Sequence, residues 1–210
     1  MSDPGKAFTV HTGIAAVLDM ANVDTDVIIR VERCARCRRG EFGRWAFEVL
    51  RYEHAAGAEL PPPPKPDFVL NQPPFDRASV LIAGPNFGCG SSREPAVWAI
   101  QEMGFRCVIA PSFGDIFANN CFENLLPAIA LPRQAHLALV AAARLTPEVT
   151  VDLRRCQVRC GPLEAGFEIE PLRREMLLQG RTTLALVLAR MDEITAFERQ
   201  DRARRPWLHP

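Results

Sequence analysis

Apolar and polar positions along the chain fall into three regimes. Between residues 78 and 144, short apolar runs alternate with stretches of helical spacing. Residues 78–83 (Ala-Ser-Val-Leu-Ile-Ala), 107–110 (Cys-Val-Ile-Ala) and 127–131 read as buried strands. Between them, 91–103 carries Ala96, Val97, Ile100 and Met103 on one face of a 3.6-residue period, 112–122 reads as helical, and 133–144 is a helix rich in Ala and Leu. Strand, helix, strand at this spacing predicts parallel pairing with right-handed crossovers. From 149 to 169 the period changes to two. Residues 150–158 and 167–169 alternate, with Gly161-Pro162 and Gly166 as turns, which predicts an antiparallel ribbon. A helix over 171–179 is opened by Pro171 and stopped by Gly180. A last helix covers 183–200, and about 201–210 forms a loose tail.

The N-terminal third is less regular. Residues 8–17 predict a strand leading into a loop. Residues 22–26 (Asn-Val-Asp-Thr-Asp) are turn-prone, because Asn and Asp side chains bond nearby backbone groups, and Val27-Ile28-Ile29 follows as a short apolar run. Phe42, Trp45, Ala46, Val49 and Leu50 have helical spacing over 41–52. The four consecutive prolines from Pro61 to Pro64 exclude a helix or a central strand. About 57–66 is therefore an exposed polyproline-like connector, either a plain surface loop or a hinge. The fold class is α/β, a mixed sheet with flanking helices. A chain of 210 residues, 48% hydrophobic, suits one core, so 1–210 is expected to form a single domain.

Charge and cysteine content narrow the function classes. The 25 Lys and Arg residues balance the 25 Asp and Glu residues, so the global basic excess of a nucleic-acid binder is missing. The local exception is the run Arg30, Arg33, Arg36, Arg38 and Arg39. The polar start at 1–6 and the lack of an apolar run of about 18–20 residues predict no targeting segment, no membrane span and an intracellular, cytoplasmic location. Seven cysteines without framework spacing predict reduced thiols. Cys34 with Cys37 and Cys156 with Cys160 would make a four-thiolate zinc site if folding brought them together; otherwise the first pair sits at a helix end or in a loop, and the second pair are ordinary strand residues.

Residues 84–94, Gly-Pro-Asn-Phe-Gly-Cys-Gly-Ser-Ser-Arg-Glu, carry the chemistry. A buried strand ends, glycines permit a tight turn, and a helix begins at paired serines. Ser91 or Ser92 is a natural N-cap, and Glu94 stands three residues after Ser91 as in a capping box. The same residues suit an anion. A helix N-terminus offers free amides and a positive dipole end, Gly88 and Gly90 allow close approach, and Arg93 adds a planar bidentate donor. A serine held among those donors would have its alkoxide stabilised and would serve as a base. The segment is neither a phosphate-binding Gly-Lys-Ser/Thr loop nor a Gly-x-Ser-x-Gly elbow.

Three segments together resemble one family. They are 22–29 (Asn-Val-Asp-Thr-Asp-Val-Ile-Ile), 86–94 (Asn-Phe-Gly-Cys-Gly-Ser-Ser-Arg-Glu) and 110–117 (Ala-Pro-Ser-Phe-Gly-Asp-Ile-Phe), the last continuing to Asn119-Asn120 and Leu125-Leu126-Pro127. They resemble the small subunit of isopropylmalate dehydratase, related to the swivelling domain of aconitase, in order from about residue 17 to 132. The resemblance implies a β/β/α swivelling domain and a heterodimer or heterotetramer with a large subunit. That subunit would hold a four-iron, four-sulfur (4Fe-4S) cluster acting as a Lewis acid, and this chain would supply no cluster ligands. Ser91 matches the base. Ser92 and Arg93, with Gly90, match the binders of substrate carboxylate. Asp26 matches a supporting acid, with Asp24 and Thr25 shaping its loop. By residues alone, Asp24 and Asp26 read as a pair of turn caps rather than as catalytic groups.

Two positions depart from the family pattern: Pro95, where the family commonly carries His, and Arg30, where it carries Pro. Proline in a first helical turn costs little, so the helix survives without the imidazole. Residues 31–40 are rich in Arg and Cys, in a region that helps the family select the substrate side chain. Arg30, Arg33 and Arg36, with Arg39, either meet a carboxylate there or form a solvated face. The resemblance thus implies a hydro-lyase that isomerises 2-isopropylmalate to 3-isopropylmalate in leucine biosynthesis. The alternatives are a 2-methylmalate, citraconate or dimethylmaleate hydratase and, in another class, a non-catalytic anion-binding module.

Overall fold

Both halves of the sheet are built on β1 (Val10–Leu18). In this computed structural model, which describes residues 7–53 and 57–208, the C-terminal half of β1 pairs in parallel with β2 (Val80–Ala83), from Ala15–Val80 to Leu18–Ala83. Its N-terminal half pairs antiparallel with β5 (Glu148–Asp152), from Val10–Asp152 to Ile14–Glu148. Beyond β2 lie β3 (Cys107–Ala110) and β4 (Ala128–Ala130), both parallel. Beyond β5 lie β6 (Gln157–Cys160) and β7 (Leu163–Gly166), both antiparallel. The described strands form one mixed sheet in the order β4-β3-β2-β1-β5-β6-β7. The apolar runs at 78–83, 107–110 and 127–131 are its parallel core, and the two-residue alternation after 149 is its antiparallel flank.

Strand alternation sorts side chains into two cores. Ala16, Leu81, Ala83, Val108 and Ala110 face one side. Ala15, Val80, Ile82, Cys107 and Ile109 face the other. The first side is covered by α1 (Thr25–Ile28), α2 (Val31–Arg36), α3 (Glu48–Arg51), α4 (Glu94–Glu102) and α5 (Asp115–Glu123), through Ile28, Val97, Ile100 and Phe117 among others. The second is covered by α6 (Arg133–Leu145) and α7 (Pro171–Gln179), through Leu139, Val140 and Leu177. Cys34 and Cys37 pack against the first core, while Cys156 and Cys160 belong to the second. The sheet separates the two pairs, so they do not share a metal ion.

Several elements differ from expectation. The stretch 41–52 is not one helix but a 3₁₀ turn at Gly43–Trp45 and then α3, with Phe47 between them in the left-handed region at φ 57°. Phe42, Trp45, Ala46 and Phe47 are all buried. One helical face cannot bury four apolar residues in six positions, so the chain bends to bury them all. Residues 150–158 are not one strand. β5 ends at Asp152, whose carboxylate accepts from the Arg155 amide at 3.0 Å and closes a turn. Gly166 ends β7 rather than making a turn, and 167–169 is not a strand. The last helix breaks after Leu188 into α8 (Thr183–Leu188) and α9 (Met191–Arg204). The tail expected from about 201 is helical to Arg204 and then a 3₁₀ turn at Pro206–Leu208, with 209–210 outside the described residues. The connector at 57–66 is mostly exposed, as expected, but its end is tied down: Pro64 pairs with Tyr52, and the Lys65 amide donates to Arg51 at 2.8 Å. No helix among the described residues is long and apolar enough to cross a membrane.

Arg33 corrects the reading of the arginine run. It is 5% exposed and structural. Its Nε donates to Glu48 Oε2 at 2.7 Å, its Nη1 donates to the Ala58 carbonyl at 2.7 Å, and its guanidinium lies 3.3 Å from the centroid of the Trp45 ring. Removing one member of a buried pair strands the other charge. Arg33→Ala is expected to destabilise the chain by about 3 kcal/mol, at the low end of that class of effect because Arg30 also approaches Glu48. Urea unfolding checks this, and an unchanged midpoint would rule out the structural role.

Candidate active site

Strands β1, β2 and β3 lie side by side and run the same way, so the loops leaving their C-terminal ends meet at one edge. These loops are the three segments at 22–29, 86–94 and 110–117. Backbone hydrogen bonds interlock them. The Gly88 amide donates to Val23 at 2.7 Å, and the Thr25 amide donates to Cys89 at 2.9 Å. On the other side, the Phe87 amide donates to Ser112 at 3.1 Å, and the Gly114 amide donates to Phe87 at 2.9 Å. Side chains add to this. Asn86 Nδ2 donates to Asn22 Oδ1 at 2.9 Å, and Ser112 Oγ accepts from the Asn86 amide at 2.9 Å. Gly88 sits at φ 72°, and a Cβ there would fall 2.2 Å from Cγ of Phe117. Only glycine lets the loop lie on that ring.

The serines do not cap the helix. The N-cap of α4 is Arg93, with no side-chain cap bond, and Glu94 closes no capping box but accepts from Asn124 Nδ2 at 2.8 Å. Ser91 and Ser92 are exposed, and among the described residues their hydroxyls have no hydrogen-bond partner. The Ser91 peptide is nevertheless anchored, because its carbonyl accepts from Thr25 Oγ1 at 3.0 Å. Gly90, at φ 88°, makes the turn that lifts the serines out of the loop. The result is two uncommitted hydroxyls on a fixed backbone, at the amide-rich opening of a helix.

The acidic segment divides its work. Asp24 Oδ1 accepts from the Val27 amide at 2.8 Å and caps α1, so Asp24 is a turn cap. Thr25 is buried and pins Ser91. Asp26 faces Arg93 in a two-pronged ion pair, with Nη2 donating to Oδ2 at 2.8 Å and Nη1 pairing with Oδ1. Arg93 Nη1 also reaches the Ile29 carbonyl at 3.4 Å. The hydrogen bond from Arg93, then its charge, holds the Asp26 carboxyl below its ordinary range, and the Asp26 carboxylate raises Arg93. Beside the turn, Asn86, Gly88, Cys89, Gly90, Phe113 and Ile116 border an open cleft of about 350 Å³. Ile116 is 51% exposed and Asn124 supports Glu94. Sequence patterning singles out neither of them, although Ile116 lies inside the third segment.

The Aconitase C-terminal domain family matches residues 5–134, a span that contains all three interlocked loops. The family of the C-terminal domain of the 3-isopropylmalate dehydratase small subunit matches residues 186–210. The 3-isopropylmalate dehydratase small subunit of Cupriavidus necator is 47% identical over 209 residues, covering 97% of this chain and 98% of that protein. That of Rhodospirillum centenum is 47% identical over 205 residues, covering 96% and 98%. The chain belongs to the 3-isopropylmalate dehydratase small-subunit family. The crystal structure of 3-isopropylmalate dehydratase from Methanocaldococcus jannaschii agrees in fold, with a TM-score of 0.64 at 24% identity over 90% of this chain and 99% of that one.

In this chain the arginine run is not a uniform surface. Arg33 is committed to the core. Arg39 lies 4.5 Å from the centroid of the Trp98 ring. Arg30 pairs with Glu32 and Glu48. Arg36 is exposed and bonds to nothing among the described residues. Of the three specificity candidates, Arg30 and Arg36 therefore keep solvent-facing charge and Arg33 does not. Pro95 fits the first turn of α4 as expected.

A carboxylate whose pKa is lowered in the folded state contributes stability above its unfolded pKa, and that contribution is lost as pH falls through the lowered value. Asp26 is expected to titrate below about 3.9, the ordinary value for aspartate. In Arg93→Gln it should return towards that value. Carboxyl NMR titration of both proteins checks this; identical Asp26 curves would mean that the pair does not form in solution.

Proposed function

We propose that this chain forms one half of a hydro-lyase active site that interconverts 2-isopropylmalate and 3-isopropylmalate, the isomerisation step of leucine biosynthesis. The observation that carries this reading is the pair of uncommitted hydroxyls, Ser91 and Ser92, beside an Arg93 whose orientation Asp26 holds. Both sit on the 86–94 segment, interlocked with the other two segments that resemble the family.

In the first half-reaction a proton leaves the methylene carbon next to a carboxylate, and the hydroxyl leaves the neighbouring carbon that bears the isopropyl group. The product is an unsaturated diacid and water. Rehydration with the opposite regiochemistry gives 3-isopropylmalate. Ser91 Oγ takes the proton and returns it to the other carbon. Its alkoxide is stabilised by the α4 dipole and by the nearby Arg93 charge. Ser92 Oγ and the free amides of the turn donate to a substrate carboxylate, with the unpaired N–H groups of Arg93 beside them. Asp26 keeps the guanidinium plane fixed, so a carboxylate meets an oriented donor. Arg30 and Arg36 are the candidates for selecting the side chain of the substrate.

The Ser91 and Ser92 hydroxyls and the Arg93 guanidinium are hydrogen-bond donors at this edge that fit a diacid. Among the described residues, no three His, Cys, Asp or Glu side chains are grouped to hold a metal ion. A 4Fe-4S cluster on a large partner subunit would supply Lewis-acid polarisation of the substrate hydroxyl. The active species in this reading is a heterodimer or heterotetramer. Seven free thiols support a reducing compartment, the cytoplasm.

Two measurements test the proposal. In the complex reconstituted with the large subunit under anaerobic conditions, Ser91→Ala is expected to lower kcat by about 10²–10⁴-fold, the cost of losing a positioned base. Wild-type turnover would leave an anion-binding module as the better account. In the same assay isopropylmalate should turn over faster than 2-methylmalate or citraconate. The reverse order would assign the chain to a methylmalate-type hydratase.

A further inference from the structure

α4 opens without a side-chain cap, yet it carries the site at its N-terminus. A serine used as a cap would have its hydroxyl tied to an amide of the first turn. Something else must hold that turn if the hydroxyls are to stay uncommitted. Among the described residues, the side chain that bonds to Glu94, the first residue of α4, is that of Asn124, whose Nδ2 donates to Glu94 Oε1 at 2.8 Å.

Asn124 is the C-cap residue of α5, in the neighbouring crossover. Its amide is fully used. Nδ2 donates to Glu94 and to the Asn120 carbonyl at 2.9 Å, while Oδ1 accepts from Trp98 Nε1 at 2.9 Å and from Arg39 Nη1 at 3.5 Å. Its main-chain carbonyl accepts from Gln101 Nε2 at 2.8 Å. Glu94, Trp98 and Gln101 are spaced by four and three residues, so they form one stripe along α4. A side chain with two donors and two acceptor sites has all of them occupied. The direction of each bond is set: the carboxylate of Glu94 and the carbonyl of Asn120 both need the amide N–H groups, and the indole needs the amide oxygen. Asp, which has the same shape but no donor, fails at both.

We propose that Asn124 is a positioning residue of the active site: it holds α4 from the side through Glu94, Trp98 and Gln101, and so anchors a helix start that no side chain caps. This proposal rests on the reading of Ser91 as the base. It also gives the otherwise unexplained Glu94 a role, since that residue neither closes a capping box nor pairs with a cation.

The test uses the reconstituted complex and isopropylmalate, with Ser91→Ala measured alongside. Asn124→Asp sets two carboxylates face to face and is expected to lower kcat by about 10- to 100-fold, the scale of an ångström-sized displacement of reacting groups. Glu94→Gln keeps an acceptor and should lose less. Combined with Asn124→Asp it supplies a donor in the reverse direction and should recover most of the lost kcat. That rescue would not follow from a general loss of packing. Wild-type kcat in Asn124→Asp, or a double variant no better than Asn124→Asp, would overturn the proposal. If Asn124→Asp does not fold, Glu94→Ala decides: a severalfold fall in kcat is expected, and none would overturn it. If Ser91→Ala keeps full turnover, the base assignment itself fails. If Ser91→Ala is inactive and Asn124→Asp is normal, only the role of Asn124 fails.

Discussion

The Gly88 amide donating to Val23 and the Thr25 amide donating to Cys89 are the interactions on which the site depends. They continue the parallel ladder of β1 and β2 past the end of the regular strands, as the isolated parallel pairing of Asp24 with Cys89 shows. Phe87 with Phe113 does the same between the next two loops. Loops normally lack the mutual backbone bonding that makes strands rigid. Here three of them share it. The floor is aromatic: Phe117 meets Phe87 edge-on at 5.5 Å and Phe113 in a stack at 6.4 Å. Gly88 has to lie against that floor, which is why no side chain fits there.

A rigid backbone permits a polar surface above it to stay unsatisfied. Most buried polar groups must find partners, and a serine at a helix start usually finds the first-turn amides. In this chain the Ser91 carbonyl is pinned by Thr25, the start of α4 is tied sideways by Asn124, and the two hydroxyls are left facing solvent. Charge is handled in the same way. Arg93 is balanced by Asp26, so its orientation is set before any anion arrives. The cost of ordering a long side chain is met in folding rather than in binding.

Much of the site was legible in the residues because its segments are local. Asp24 as a turn cap, Gly88 and Gly90 as turn residues, and the helix after the serines can all be read within ten positions. What misled was chemistry that only neighbours decide. Ser91 and Glu94 have the spacing of a capping box, but Asn124, thirty positions after Glu94, takes the carboxylate. Arg33 lies in a run of exposed arginines, but Glu48 and Trp45 draw it into the core. The helical spacing over 41–52 is real, yet Phe47 also has to be buried and breaks it.

By itself the sequence determined the parallel core, through short apolar runs at 78–83, 107–110 and 127–131 of the kind that buried parallel strands carry. It also determined the three loop segments and, through them, the family. Which of the loop residues touch one another was decided only by the tertiary structure. Pairing of β1 with β2 and of β2 with β3 brings positions 24, 89 and 114 to one edge, although they are far apart along the chain. The same packing sorted the arginines into one buried cation and several exposed ones. Charge type is written in a residue, but its solvation and its partner are properties of the surface that folding places around it.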